Sequence, residues 1–219
     1  GELLRQLNQW DQVAAVQDQL VALNPMNPQT RFAAASAWSR ANQPEAAVRR
    51  LNDLLRLDSA AGSDWKGAAK VALSREVYRV NATRPEGERN WSEVDAAISD
   101  ARDEVPASWQ LELLEADLAL TAGARPSLTT EEQRRARALE LLRAMEPQHD
   151  ADVDVLAKLA IGYERLGASA DADRVLKLIE SQSKSPVVKS LMRAELAQLR
   201  QDVASARNAL ESGLSSAPP

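Results

Sequence analysis

The chain contains 219 residues, of which 44% are hydrophobic and 27% are charged, and its formal net charge is −5. This composition supplies enough apolar material for a hydrophobic core and places the chain outside the disordered class. It has no cysteine and one histidine, His149, which excludes a disulfide framework, a thiolate zinc site and a multi-histidine metal centre. The mild negative charge argues against a broad nucleic-acid-binding surface.

Alanine and leucine dominate the chain, with 39 and 29 residues, against a single phenylalanine. Both residues lose little free energy on entering a helix, whereas β-branched and aromatic residues are too sparse for a sheet-dominated fold. No apolar run approaches the roughly 18 residues that a membrane helix needs. The sequence therefore predicts an all-α protein without a cofactor. Both the cytoplasm and the periplasm stay open as compartments, and the excess of arginine over lysine suggests a bacterial source.

Apolar stripes with helical spacing, separated by short turns rich in Gly, Asn, Asp or Pro, predict about eleven helices. In chain order the helical segments are 10–25, 30–42, 44–59, 64–80, 91–106, 109–123, 134–147, 153–167, 170–182, 186–200 and 203–214. Turns of this length make neighbouring helices antiparallel. Gly123 and Gly167 follow two of the segments, where a helix end favours a residue in the left-handed conformation.

A repeat of 34 residues runs through these segments. Small residues near the start of every second helix are Val13, Ala47, Val94, Ala138, Ala172 and Ala206, and they are separated by steps of 34, 47, 44, 34 and 34. The two long steps correspond to one period plus an insertion. A helix–turn–helix unit of this length, repeated, cannot bury its apolar face alone, so successive units must stack.

The chain resembles the tetratricopeptide repeat (TPR) family, in which each unit pairs a helix A with a helix B. The segment VLAKLAIGYERLGASADADRVLKLIE carries the resemblance best, because its small and hydrophobic residues fall on the family's positions: Leu156, Leu159, Ala160, Tyr163, Gly167, Ala172 and Ile179. The resemblance covers one domain, 1–214, divided into units of about 1–27, 28–61, 62–108, 109–152, 153–186 and 187–214, and a tail, 215–219. Insertions interrupt the third and fourth units.

The resemblance implies a right-handed superhelical solenoid whose inner wall is formed by the A helices. Alanines at equivalent positions of five A helices would permit the stacking: Ala35, Ala69, Ala116, Ala160 and Ala194. The side chains that this geometry directs into the groove are Phe32, Ser36, Arg40, Lys66, Lys70, Leu113, Asp117, Leu120, Ile161, Glu164, Arg165, Leu191 and Glu195. Exposed leucines and isoleucines in such a groove would mark an interaction surface.

Charge along the predicted groove is asymmetric, with basic residues toward one end and acidic residues toward the other. This pattern suits a peptide or an amphipathic helix lying in the groove. Some TPR domains clamp a peptide carboxylate with paired Lys, Asn and Arg residues, but the corresponding stripe here has no Asn, so that clamp is not supported. The leading hypothesis is a non-catalytic protein-interaction scaffold of unidentified partner, forming one region of a longer protein.

Two alternatives stay open. The first is a structural spacer whose ends or inserted loop assemble copies of the chain. The second, which the sequence disfavours, is an enzyme with a site in the insertion 124–133, where Glu131 and Glu132 could act as an acid–base pair; both residues fit better as the N-terminus of a helix. His149 stands alone in a loop, where a solvated side chain is expected rather than a metal ligand.

Overall fold

The computed structural model describes residues 9–57 and 64–215. These residues form eleven α-helices and no strand. In chain order the helices are α1 (Trp10–Leu23), α2 (Pro28–Arg40), α3 (Pro44–Leu55), α4 (Asp64–Thr83), α5 (Trp91–Glu104), α6 (Trp109–Leu120), α7 (Glu131–Met145), α8 (Val153–Arg165), α9 (Ser169–Gln182), α10 (Pro186–Leu199) and α11 (Val203–Ser215). The predicted all-α fold is confirmed, and every predicted helix is present.

Local chemistry fixes where many of these helices begin. Proline occupies the first turn of α2, α3 and α10, where its missing N–H costs no hydrogen bond. The side chains of Asn27, Asp152 and Ser185 accept hydrogen bonds from backbone N–H groups at the starts of α2, α8 and α10. These caps satisfy amides that would otherwise lack partners.

Helices α4 and α7 each extend three residues beyond their predicted segments. Helix α4 continues to Thr83, and a short 3₁₀ turn, Glu86–Glu88, follows it, so the insertion in the third unit is a longer helix and a turn. Helix α7 begins at Glu131 rather than near 134, because Thr130 and Gln133 form a reciprocal capping box.

The chain divides into two compact units at Leu111 and Glu112, within α6. In the first unit, α1 to α5 pack against one another in chain order, and α2 also contacts α4. In the second unit, α7 to α11 pack in chain order, and α8 also contacts α10. Contacts between a helix and its second neighbour join one helix pair to the next within each unit.

The five alanines at the expected stacking positions are all buried. Ala69 and Ala160 are fully buried, Ala35 is 2% exposed, Ala116 4% and Ala194 6%. Small side chains here let helix backbones approach closely, as at Gly67 on α4, where an added Cβ would lie 2.5 Å from a methyl carbon of Val105.

The turns after α2, α6, α8 and α10 share one backbone conformation. Asn42, Gly123, Gly167 and Gln201 all have positive φ, at 57°, 78°, 69° and 62°. After three of these helices the same hydrogen bond closes the turn: from Gln43 N–H to Trp38 O (3.0 Å), from Ala168 N–H to Tyr163 O (2.9 Å) and from Asp202 N–H to Ala197 O (2.9 Å). This is the Schellman arrangement, and the left-handed conformation predicted for Gly123 and Gly167 is confirmed.

In the described part of the chain, no helix combines the length and the apolar character needed to cross a membrane.

Candidate functional site

A groove of about 770 Å³ lies between α2 and α4 in the first unit. We call it the α2–α4 groove. Helix α2 contributes Phe32, Ser36, Ser39 and Arg40. Helix α4 contributes Ala68, Val71, Ala72, Arg75 and Arg79. Each set repeats at three or four residues, so each lies on a single helix face.

The wall of the groove changes in character along the helices. Phe32, Ala68 and Val71, toward the helix N-termini, are apolar, and Val105 after α5 adds another apolar side chain. The ring centroids of Phe32 and Trp65 lie 5.4 Å apart, and this aromatic contact holds the Phe32 ring in place. The groove therefore has an apolar end.

The other end is basic and is organised around a buried carboxylate. Glu76 is 1% exposed, and its two oxygens accept hydrogen bonds from Arg75 Nε (3.0 Å), Arg79 Nη1 (2.7 Å) and Ser39 Oγ (2.8 Å). Arg79 also donates to Ser39 O at 3.2 Å and to Asn42 Oδ1 at 2.7 Å. A buried carboxylate without such partners would cost several kcal/mol. Glu76 thus holds two guanidinium groups in place along the groove.

Arg40 completes the basic end. Its guanidinium carbon lies 4.8 Å from the centroid of the Trp10 ring, in cation–π contact. Among the described residues that line the groove, none is Asp or Glu. Three arginines therefore line this end, and two of them share the carboxylate of Glu76, so the described lining carries an excess of positive charge.

Phe32, Ser36 and Arg40 are brought together in this groove, whereas the predicted α4 residues lie elsewhere. Lys66 Nζ is 2.7 Å from Glu104 Oε1, and Lys70 Nζ is 2.8 Å from Asp100 Oδ1, so both lysines face α5. The prediction that Lys66 and Lys70 line the groove is wrong. The hydrogen bond to Asp100 raises the pKa of Lys70, which stabilises its charged form.

Arg75 and Arg79 are charged groove residues that were not predicted from the sequence. The face of α4 that lines the groove runs through Ala68, Ala72, Arg75 and Arg79, two residues away from the predicted stripe. One signal could have found it: Glu76 and Arg79 are three residues apart and pair across one helical turn. Because Glu76 pairs with Arg79 in this way, the two residues lie on the same side of α4, and this pairing indicates which face of the helix carries the arginines.

In the second unit, the predicted groove residues fall in different environments. Ile161 is 9% exposed and belongs to the core, so its predicted exposure is wrong. Glu164 accepts hydrogen bonds from Arg200 Nη2 (2.6 Å) and Ser169 Oγ (2.8 Å), and the Arg200 bond is the main cause of its lowered pKa. Glu164 is therefore a structural partner of the turn after α10.

The remaining predicted residues on α6 and α8 are more accessible. Leu113 and Leu120 are half-buried, and Asp117 and Arg165 are exposed. Although solvent reaches Asp117, the surrounding protein reduces the hydration of its carboxylate and raises its pKa, and the charge of Arg165 opposes this shift.

Leu191 and Glu195 line a second cavity, of about 760 Å³, which α10 forms with α11. Its apolar residues include Val203 and Leu214, each 77% exposed, and Leu191, 52% exposed. We call this surface the α10–α11 face. Its exposed apolar area is a candidate for an interaction.

Other clusters of ionisable side chains in the second unit have structural roles. The buried Tyr163 donates a hydrogen bond to Glu146 Oε2 at 3.2 Å, and Arg174 pairs with both Glu146 and Asp171. Burial, followed by the negative charge of Glu146, raises the pKa of Tyr163, so its hydroxyl stays protonated. This network joins the C-terminal end of α7 to α8 and α9.

The residues considered for catalysis are placed as follows. Thr130 caps α7, and hydrogen bonds from the Glu132 backbone and from Thr130 lower the pKa of Glu132, which opposes a role as a general acid. His149 is only 19% exposed and its Nε2 lies 3.9 Å from Glu112 Oε2, so the solvated position expected for it is wrong. The described residues contain no group of three or more His, Cys, Asp or Glu side chains arranged to hold a metal ion.

Comparison of the sequence with models of known protein families gives no match, and comparison with curated proteins gives no significant match.

Proposed function

We propose that the chain is a non-catalytic protein-interaction module built from TPR-like repeats, which binds a peptide segment in the α2–α4 groove. The observation that carries this proposal is the groove itself, which lies between two successive A helices and combines apolar and charged side chains. A concave surface of mixed character is the usual form of a site that recognises a peptide.

The turn geometry supports the repeat interpretation. The left-handed residues Asn42, Gly167 and Gln201 occupy the same place after three A helices, and Gly167 and Gln201 are one 34-residue period apart. The second-neighbour contacts between α2 and α4 and between α8 and α10 are those that stacked helix pairs make. The proposal extends to the right-handed superhelix that the resemblance implies, which a crystal structure of the purified chain would test.

The dimensions of the groove fit a short segment. Phe32 and Arg40 are eight residues apart on α2, which corresponds to about 12 Å along the helix axis. An extended peptide covers that distance with about four residues. The groove therefore suits a peptide of roughly four to eight residues rather than a folded domain.

Filling the groove tests the proposal. Ala68 is an exposed alanine in the groove wall, and Ala68→Trp places a bulky ring where a ligand would lie. Ala136→Trp makes the same change at an exposed position of α7, outside the groove. The wild-type chain and each variant are applied to a phage-displayed library of random dodecapeptides. We expect the wild type and Ala136→Trp to select a common set of peptides and Ala68→Trp to lose it. Equal selection by all three proteins would contradict peptide binding in this groove.

The α10–α11 face favours a second candidate function, which is self-association through a second copy of the chain. Leu191, Val203, Leu210 and Leu214 expose apolar surface together on one side of the second unit. Sedimentation equilibrium over a hundredfold range of concentration distinguishes this function. A self-assembling chain would show a rising mass that Val203→Glu with Leu214→Glu abolishes, whereas a monomer at all concentrations would exclude it.

A further inference from the structure

We infer that the α2–α4 groove selects acidic peptides, in which an apolar residue lies about three or four positions from one or more Asp or Glu side chains. This inference deepens the proposed function and rests on it. It follows from the charge, the order and the spacing of the side chains in the groove.

Charge is the first argument. Arg40, Arg75 and Arg79 line the groove, and the carboxylate of Glu76 beside them is 1% exposed and already hydrogen-bonded to both Arg75 and Arg79. One negative charge cannot neutralise three positive charges. Because the described lining includes no other acid, a ligand carboxylate is the group that would balance the excess.

Preorganisation is the second argument. Arg79 is held by Glu76, by the Ser39 carbonyl and by Asn42, and Arg75 donates to Glu76 at 3.0 Å. A guanidinium that is already fixed loses less side-chain entropy when it binds a carboxylate than a free surface arginine does. The side chain of Arg75 nevertheless remains 58% exposed, so it can reach a ligand.

Spacing is the third argument, and it sets the distance between the groups in the ligand. Phe32 and Val71 lie toward the N-terminal halves of their helices, whereas Arg40 and Arg79 lie eight residues further along α2 and α4 respectively. Eight helical residues span about 12 Å. A bound peptide would place an apolar side chain against Phe32 and its carboxylates about 12 Å away, near the arginines.

The same observations disfavour a nucleic acid as the ligand. Nucleic-acid binding gains its free energy from several phosphates neutralised along a broad basic surface, whereas the positive charge here is confined to one end of the groove and the whole chain carries a net charge of −5. An apolar pocket ahead of a small basic cluster suits a peptide side chain better than a phosphate backbone.

The experiment uses the full chain and a positional-scanning library of octapeptides with acetylated N-termini and amidated C-termini, so that any carboxylate comes from a side chain. The test variant is Arg40→Gln with Arg75→Gln, which leaves Arg79 in place as the main partner of Glu76. The control is Arg49→Gln with Arg56→Gln, which removes the same charge from exposed positions at α3 and directly after it, outside the groove. Circular dichroism establishes that both double variants keep the helical content of the wild type.

We expect the wild type and the control to select peptides with Asp or Glu three or four positions from an apolar residue. The test variant should bind the best of these peptides about tenfold more weakly, because charge-assisted hydrogen bonds to carboxylates are lost. Peptides selected without acidic residues, or bound equally by the test variant, would overturn this inference and leave peptide binding intact. Selection of no peptide at all would overturn the proposed function itself. Tighter binding of a 12-nucleotide single-stranded RNA than of any acidic peptide would also overturn the inference.

Discussion

Gln201 holds a backbone conformation that suits glycine better. Its φ is 62°, and Gly167 has a φ of 69° at the equivalent place after α8. A side chain with a Cβ atom is strained in this left-handed region, whereas glycine is not. We expect Gln201→Gly to raise the free energy of unfolding by about 0.5 kcal/mol, measured by urea denaturation.

Gly167→Ala is the matched opposite change. It adds a Cβ in the same conformation, and that Cβ would lie 2.9 Å from a terminal nitrogen of Arg135, which can move aside. We expect a loss of about 1 kcal/mol. If both substitutions changed the free energy of unfolding in the same direction, the left-handed conformation would not control the stability of these turns.

Glu164 links stability to pH. Hydrogen bonds from Arg200 and Ser169 lower its pKa in the folded chain below the value of a free glutamate. A carboxyl group whose folded pKa is lowered stabilises the fold above its unfolded pKa, and this contribution is lost as the pH falls through the folded pKa. Glu164→Gln should therefore cost about 1 kcal/mol at pH 7 and much less near pH 3.

Urea denaturation of the wild type and Glu164→Gln between pH 7 and pH 3 measures this difference. Glu211→Gln is a suitable control, because Glu211 pairs with Arg207 on the exposed surface of α11 and its side chain is 58% exposed. A constant difference between the wild type and Glu164→Gln over the whole pH range would show that the lost contact is not electrostatic.

At the scale of the element, two adjacent alanines on α4 have opposite environments. Ala69 is fully buried at a stacking position, whereas Ala68 is exposed in the groove wall. We expect Ala69→Leu to lower the free energy of unfolding by about 1–3 kcal/mol, because the core cannot accept three more carbons without shifting its helices.

Ala68→Leu is the control for this substitution, since it adds the same atoms one residue away and should change the free energy of unfolding by less than about 0.5 kcal/mol. Thermal and urea denaturation of both variants measure the difference. Similar losses from the two substitutions would mean that helix α4 sits in another register.

The positions of the helices could be predicted from the sequence because each has its own local signals. Apolar residues recur with a helical period, and Pro, Asn or Gly marks most boundaries, as Pro44 and Gly167 do. The turns of the third and fourth units were harder to place. Helix α4 continues to Thr83, and the reason is that nothing before Pro85 interrupts the helical pattern.

The lining of the groove could be predicted only in part. Phe32, Ser36 and Arg40 on α2 lie together in the α2–α4 groove, but α4 carries alanines on more than one face, so its apolar pattern does not say which face meets α2. Lysines and arginines on that helix therefore looked equivalent in the sequence. Their carboxylate partners separate them: Asp100 and Glu104 on α5 hold Lys70, whereas Glu76 holds Arg75 and Arg79.

Ile161 could not be assigned from its spacing for a related reason. Helix α8 contacts both α9 and α10, so apolar residues are required on two of its faces. The prediction assumed that one face of α8 packs against α9 and that the other face lines an open groove. It therefore placed Ile161, a core residue, at the surface. Within the second unit, α10 covers part of the α8 face that was expected to line the groove.

At the scale of the whole molecule, stability should follow the local order of packing. Helices α1 to α5 in the first unit and α7 to α11 in the second contact the next helix along the chain, and α2 also contacts α4 as α8 contacts α10. In proteins held by such nearest-neighbour contacts, the free energy of unfolding is approximately a sum of local terms, and segments can open separately. Each of the two compact units is then expected to unfold partly on its own.

Hydrogen–deuterium exchange with mass spectrometry tests this local character. In Ala69→Leu, we expect amide protection to fall in α2 to α5, which pack around the altered position in the first unit, and to stay close to that of the wild type in α8 to α10. Ala194→Leu, at the equivalent position of α10, should give the reverse pattern. Equal loss of protection in all helices of both variants would instead show that the chain unfolds as one cooperative block, because a single global opening would then expose every amide at the same free energy.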